Sequence, residues 1–309
     1  MDDVPALTAL IGRVTTALLG YPDASESEVR DDLTGARFDI ARDTIVAVGE
    51  GGDVVVYAQG FAEHDELGWL DVYIDPRWDD ATFAAIADTT VAACLGRIRE
   101  SAALRGASSI QVKAGIYQQE AGMRSAYARA GLSVETMYWR LGLDLDPGSD
   151  FSLPWPPGVE LRRVDPRDDE VMRTALELVN ETFHDHHGHV DMSFDYFVQY
   201  WRDSEKYDPE AWWFAVVEGV PVGLLLGDDT RVGEGVGFVR TLGVRKEMRG
   251  RGIATSLLLM AFDDYRRRGR NAVQLGVDAQ NATGATRLYE GLGMRPLLTT
   301  VAMGGALVV

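Results

Sequence analysis

Cysteine is almost absent from this 309-residue chain. Cys94 stands alone, so no internal disulfide and no multi-cysteine metal site can form, as expected in a reducing compartment. Lysine is nearly as scarce, with three residues beside 27 arginines. The chain lacks any overall basic excess: 48 acidic against 30 basic residues give a net charge of −18. That balance argues against a general role on nucleic acid, where phosphate contacts dominate binding. It suits solubility, and also cationic partners or amine substrates. The N-terminus, "MDDVPALTALIGRVTTALLG", begins acidic, and Arg13 interrupts its apolar run. This predicts an amphipathic helix, not a signal peptide or membrane span. A cytoplasmic protein without a membrane partner is the expectation.

What is present is ample core material. Hydrophobic residues make up 46% of the chain, enough for two ordinary domains at this length. The first half reads as a helix over 5–19 and strands over 44–50 and 53–60, which the hairpin signal Gly51-Gly52 separates. Then come a strand at 68–75, a helix from about 80 to 104, a strand at 109–115, a helix ending near Gly131 and a strand at 135–145. Residues 146–158 hold four of the eleven prolines and read as a linker. The order then recurs. Strand 159–164 precedes helices 167–182 and 193–203, strands 211–219, 221–229 and 236–244, helix 252–268, strand 272–279, helix 283–291 and a last strand region. Two local echoes support duplication: "MRSAYARAGL" (123–132) lies over "ATRLYEGLGM" (285–294), and "LDVYIDP" (70–76) over "RTLGVRK" (240–246). Nearly the same offset relates both, which makes tandem repeats of one fold the reading. The division expected is a first domain over 1–147, a linker over 148–157 and a second domain over 158–309.

Against the acidic background, "VRTLGVRKEMRGRGIATSLLLM" (239–260) is basic and glycine-rich, and residues 240–270 carry a net +6. A strand running into spaced glycines and then a helix presents several N–H groups to an anion, with the helix dipole in support. The bland alternative is a solvated basic loop capping a helix. A phosphate-binding Walker loop is excluded because no Gly-Lys-Ser/Thr follows at the needed spacing. The dinucleotide fingerprint fails because Thr255 stands where its third glycine belongs.

Arg249-x-x-Gly252-x-Ala254 resembles the Arg/Gln-x-x-Gly-x-Gly/Ala signature of the GNAT N-acetyltransferase superfamily. The likeness extends upstream to "TLGV" and downstream through "DAQNATGATRLYEGLGM" (278–294). It implies two tandem GNAT-like α/β domains, each a mixed, mostly antiparallel sheet flanked by helices, with acetyl-CoA as co-substrate. By the resemblance the pantetheine arm pairs with the strand backbone at Leu242, Gly243 and Val244. The pyrophosphate rests on the amides of Arg249, Gly250, Arg251, Gly252, Ile253, Ala254 and Thr255. Asn281 meets the pantetheine, and Tyr289 meets the thiol. Attack of a neutral amine on a thioester expels a thiolate, which a tyrosine of ordinary pKa about 10 can protonate.

In the first half, Asp79, Asp80 and Thr82 stand at the positions of Arg249, Gly250 and Gly252. Carboxylates there oppose a pyrophosphate, so that half is expected not to hold acetyl-CoA in this mode, although Tyr127 lies over Tyr289. On the acceptor side, four of five histidines crowd into 184–189 and nine aromatics follow between 194 and 214. A metal cluster there lacks a supporting ligand set, so no metal is expected. Helix packing explains most of the aromatics. For the general base the candidates are Glu234, His187 or His189, and Asp278. The tandem arrangement is similar to the mycothiol synthase branch of the superfamily, in which a glutamate is expected where Phe238 stands here. The acceptor is expected to be a small primary amine, and the chain a monomer or homodimer.

Overall fold

In the first half, strands such as 67–74 and 109–117 alternate buried with more exposed side chains, whereas strands 212–217 and 220–228 of the second half are buried almost throughout, as helices on both faces require. The computed structural model describes residues 3–34, 38–64, 67–152, 155–184, 191–202, 206–279 and 284–309. Its first elements are α1 (Val4–Leu19), α2 (Glu26–Asp32), α3 (Ile40–Asp43), β1 (Thr44–Val48), β2 (Val54–His64), β3 (Leu67–Ile74), α4 (Asp80–Ala103), β4 (Ser109–Tyr117), α5 (Ala121–Arg129) and β5 (Ser133–Asp144). Then follow β6 (Val159–Arg163), α6 (Asp169–Phe183), α7 (Phe194–Arg202), β7 (Trp212–Val217), β8 (Val220–Asp228), β9 (Val236–Val244), α8 (Ile253–Arg267), β10 (Ala272–Asp278), α9 (Ala285–Gly291) and β11 (Arg295–Val308).

The expected elements are present. The short helices α2 and α3 are additions, lying in a stretch too polar to show helical periodicity. A capping box starts α2: Ser25 accepts from the Glu28 backbone N–H while the Glu28 carboxylate accepts from the Ser25 N–H.

The chain forms two compact units, Met1–Tyr138 with Thr299–Val309, and Trp139–Leu298. The division falls inside β5 and at the start of β11, not at the proline-rich segment. Residues 299–309, expected in the second domain, belong to the first, because Thr300–Val308 pairs antiparallel with β4 and meets its backbone hydrogen-bonding groups. In the first unit the strand order is β1-β2-β3-β4, followed by its parts of β11 and β5. β1 with β2, β2 with β3 and β4 with β11 pair antiparallel, and β3 with β4 parallel. In the second unit the order is its part of β5, then β10-β9-β8-β7-β6, again antiparallel through β6 to β9 and parallel between β9 and β10.

The helix α4 is long and apolar enough to cross a membrane by length and composition. In the first unit it instead buries a stripe of Ala87, Val91, Cys94, Leu95, Ile98 and Ala102 in the core. In the second unit α8 packs Leu257, Leu258, Ala261, Phe262 and Tyr265 against one sheet face. On the other face α6 and α7 bury Leu178, Phe197 and Trp201.

Candidate functional site

Parallel pairing between β9 and β10 runs only from Val236/Ala272 to Val239/Leu275, although β9 continues to Val244 and β10 to Asp278. Beyond Val239 the two strands part, and β9 keeps its partner β8 on the other side, from Asp228/Phe238 to Gly223/Val244. The backbone of Leu242 to Val244 is thereby left on the open side of a notch, where an extended ligand can add like a strand. A bulge sits at the mouth. Leu226 pairs with Thr241 and Gly227 with Val239, so Arg240 is the extra residue. Its guanidinium donates to Asp228 Oδ2 at 2.7 Å and Thr230 Oγ1 at 2.7 Å, and lies 4.6 Å from the Phe238 ring centre. Sequence reading missed this bulge; its one signal was Gly227 inside an apolar strand.

From β9 the chain makes one 3-10 turn at Lys246–Met248 and reaches Gly250 and Gly252 at φ of 73° and 82°. Those left-handed values favour glycine. Gly252 caps α8 without a side-chain hydrogen bond. Among the described residues, the backbone N–H groups from Gly250 through Thr255 have no hydrogen-bond partner; the first bonded amide is Ser256, to Gly252 O at 3.0 Å. A row of unmet donors at the start of a fifteen-residue helix is an anion cradle. The residues present therefore fit a pyrophosphate.

The arginine side chains of the loop are engaged within the protein. Arg249 donates to Val244 O at 3.0 Å and Thr182 O at 3.2 Å, so its side chain ties the loop to the last turn of α6. Arg245 faces Glu181 at 3.2 Å and Glu177 at 3.6 Å, and Arg251 reaches Glu247 O at 3.4 Å. Their charge stays near the loop, while the backbone supplies the directed donors. Gly243 makes room for α6, since a Cβ there would collide with the Thr182 side chain.

Tyr289 lies on α9, 7% exposed, in the same apolar cluster as Val244, Ile253 and Val277, with Leu242 and Ala254 packed against it. Burial pushes its hydroxyl up to about 12, so it is protonated at neutral pH. Asp278 ends β10 at the diverging end of the notch.

Glu234 does not join this group. It sits in a 3-10 turn at Val232–Glu234, before β9 begins, and pairs with Arg231 at 2.8 Å. From Val236 to Leu242 is already roughly 20 Å of strand. Gly235, at φ 72°, closes that turn at the wrong end of the strand for a base. His187, His189 and Asn281 lie outside the described residues. Among the described residues, no three His, Cys, Asp or Glu side chains come together as metal ligands.

The comparisons agree with this geometry. Residues 173–294 match the sequence profile of the Acetyltransferase (GNAT) family. Over 143 residues the chain is 34% identical to a mycothiol acetyltransferase of Thermobispora bispora, a match spanning 45% of this chain and 47% of that relative. A crystal structure of a GCN5-related N-acetyltransferase from Sphaerobacter thermophilus aligns at TM-score 0.84 and 29% identity, covering 100% of this chain and 94% of that one. A tandem GNAT protein from the clavulanic acid biosynthesis pathway shares the fold at TM-score 0.70 and 17% identity, covering 99% and 95%. The notch and the glycine-framed helix start thus lie in a chain with the tandem GNAT-like fold, whose residues 173–294 match the profile of the Acetyltransferase (GNAT) family.

Proposed function

We propose that the second unit is an acetyl-CoA-dependent N-acetyltransferase acting on the primary amine of a small molecule. The observation that carries this reading is the run of unmet N–H donors from Gly250 to Thr255 beside the open edge of β9. Those amides hold the pyrophosphate, and the Leu242–Val244 backbone aligns the pantetheine arm. The bound acetyl-CoA supplies an activated thioester. Asp278 takes a proton from the incoming ammonium, and Tyr289 gives its proton to the departing thiolate. Glu234 has no part in this scheme. The first unit is proposed not to use acetyl-CoA in this way, and the protein to work in the cytoplasm as a monomer or homodimer.

The test is a thiol-release assay with acetyl-CoA against a broad panel of amines. Saturable release with at least one amine supports the reading. Tight acetyl-CoA binding with no transfer to any of them points instead to a non-catalytic acyl-CoA sensor. A second reading, favoured by the 34% identical relative, is acetylation of a cysteinyl-sugar precursor of mycothiol, which belongs in the same panel. Phe238 at the expected glutamate position weighs against it.

A further inference from the structure

The first unit contains a cavity that the acetyl-transfer reading does not use. It is an open hollow of about 310 Å³, lined by Asp32 at the end of α2, Gln59 and Phe61 on β2, and Trp69 and Asp71 on β3. Two cross-strand pairs build its floor, Gln59 opposite Asp71 and Phe61 opposite Trp69. Gln59, only 6% exposed, donates from its amide nitrogen to Asp71 Oδ2 at 3.2 Å and accepts from Tyr57 Oη at 3.4 Å. That chain of bonds holds the Asp71 carboxylate in place. Phe61 is fixed edge-on against Phe38 at 5.1 Å, while Trp69 remains 36% exposed at the opening.

No lysine or arginine is among the described residues lining this cavity. Burial pushes the Asp71 carboxyl above its usual range, against the opposing pull of the Gln59 amide. An adjacent cation would relieve that cost. The sheet itself does not require this chemistry: at the duplicated position the second unit has Thr241 opposite Leu226. Aromatic faces beside a fixed carboxylate recognise an organic ammonium through cation–π attraction and charge pairing. A hard metal ion needs a shell of several oxygen ligands, and half of this floor is aromatic. An anion would face the carboxylates of Asp32 and Asp71.

We propose that this cavity is a binding site for a small organic ammonium compound, with Trp69 and Phe61 against the cation and Asp71 as its counter-charge. The inference stands apart from acetyl transfer, because it concerns the other unit and is read by binding alone.

Calorimetric titration of the full chain with choline, and with its neutral isostere 3,3-dimethylbutan-1-ol, tests it. Saturable choline binding is expected, with the isostere bound much more weakly. Asp71→Asn keeps the bond to Gln59 but removes the charge, and Trp69→Leu keeps apolar volume but removes the ring face. Each should weaken choline binding by about tenfold while leaving acetyl-CoA binding unchanged. Circular dichroism checks folding, and the half-exposed Trp69 position carries the test if Asp71→Asn fails to fold. Three results overturn the proposal: no saturable choline binding, equal binding of the isostere, or unchanged affinity in a folded Trp69→Leu variant.

Discussion

The starts of α4 and α8 occupy equivalent positions in the two units and are completed in opposite ways. Each helix follows a strand that parts from its parallel neighbour, after Leu70/Ala114 in one unit and Val239/Leu275 in the other. At α4 the cap is Asp79, whose Oδ1 accepts from the N–H groups of Ala81 at 3.0 Å and Thr82 at 2.9 Å, while the Thr82 hydroxyl donates to Oδ2. At α8 the cap is a left-handed glycine without a side chain, and the amides stay unmet. One helix start carries its own anion; the other leaves its donors for an external one. The α4 start is satisfied by its own carboxylate, whereas the α8 start is left open and so leaves room for a ligand.

The largest test of this contrast lies at the paired tyrosines. Tyr289→Phe should lower turnover by roughly a hundredfold or more with little change in acetyl-CoA affinity, since a general acid contributes to the transition state and not to binding. Tyr127→Phe, at the duplicated and fully buried position, should leave turnover unchanged. Steady-state kinetics beside a binding isotherm separates the two; equal effects would dissolve the distinction between the units.

Next comes transplantation of the cap. Gly252→Asp places a carboxylate where the second unit has none. Like-charge repulsion and occupation of the free amides together cost roughly 2–3 kcal/mol of binding, so acetyl-CoA affinity should fall by about a hundredfold, while left-handed strain lowers only stability. Isothermal titration measures it, and an unaltered affinity would remove the helix start from the cofactor site.

The smallest effect concerns the acidic interior of the first unit. Burial raises the Glu120 carboxyl from 4.5 to about 7, opposed by the backbone N–H of Tyr117. The folded group therefore holds its proton more tightly than the unfolded one. Its contribution to stability is lost as pH rises from about 4.5 to about 7. Glu120→Gln should flatten that slope and gain about 1–2 kcal/mol at pH 8, measured by denaturant unfolding at several pH values. A wild-type slope retained in the variant would assign the pH dependence to another group.

Much of this was legible in the sequence. The strand and helix order follows from residue patterning and helical spacing, and the closely spaced Gly250 and Gly252 mark a loop whose backbone takes left-handed angles twice. Asp79 at the matching position already signalled that the two helix starts differ. Side-chain destinations were not legible. The Arg249 guanidinium bonds carbonyls of Val244 and Thr182, because α6 returns to the loop from distant sequence. Glu234 was a candidate base at the entrance of β9, and only the structure shows that the notch opens at the other end of that strand.

The sequence by itself therefore determined which elements form, that they repeat, and which of the two helix starts is free of acid. These depend on local spacing, on residue size and on charge next to the backbone. Only the tertiary structure decided that β9 and β10 part after Val239, that Arg240 bulges out, and that residues 299–309 join the first unit. Each of these depends on pairing between segments far apart in the chain, where hydrogen-bond register and packing choose among strands of similar composition.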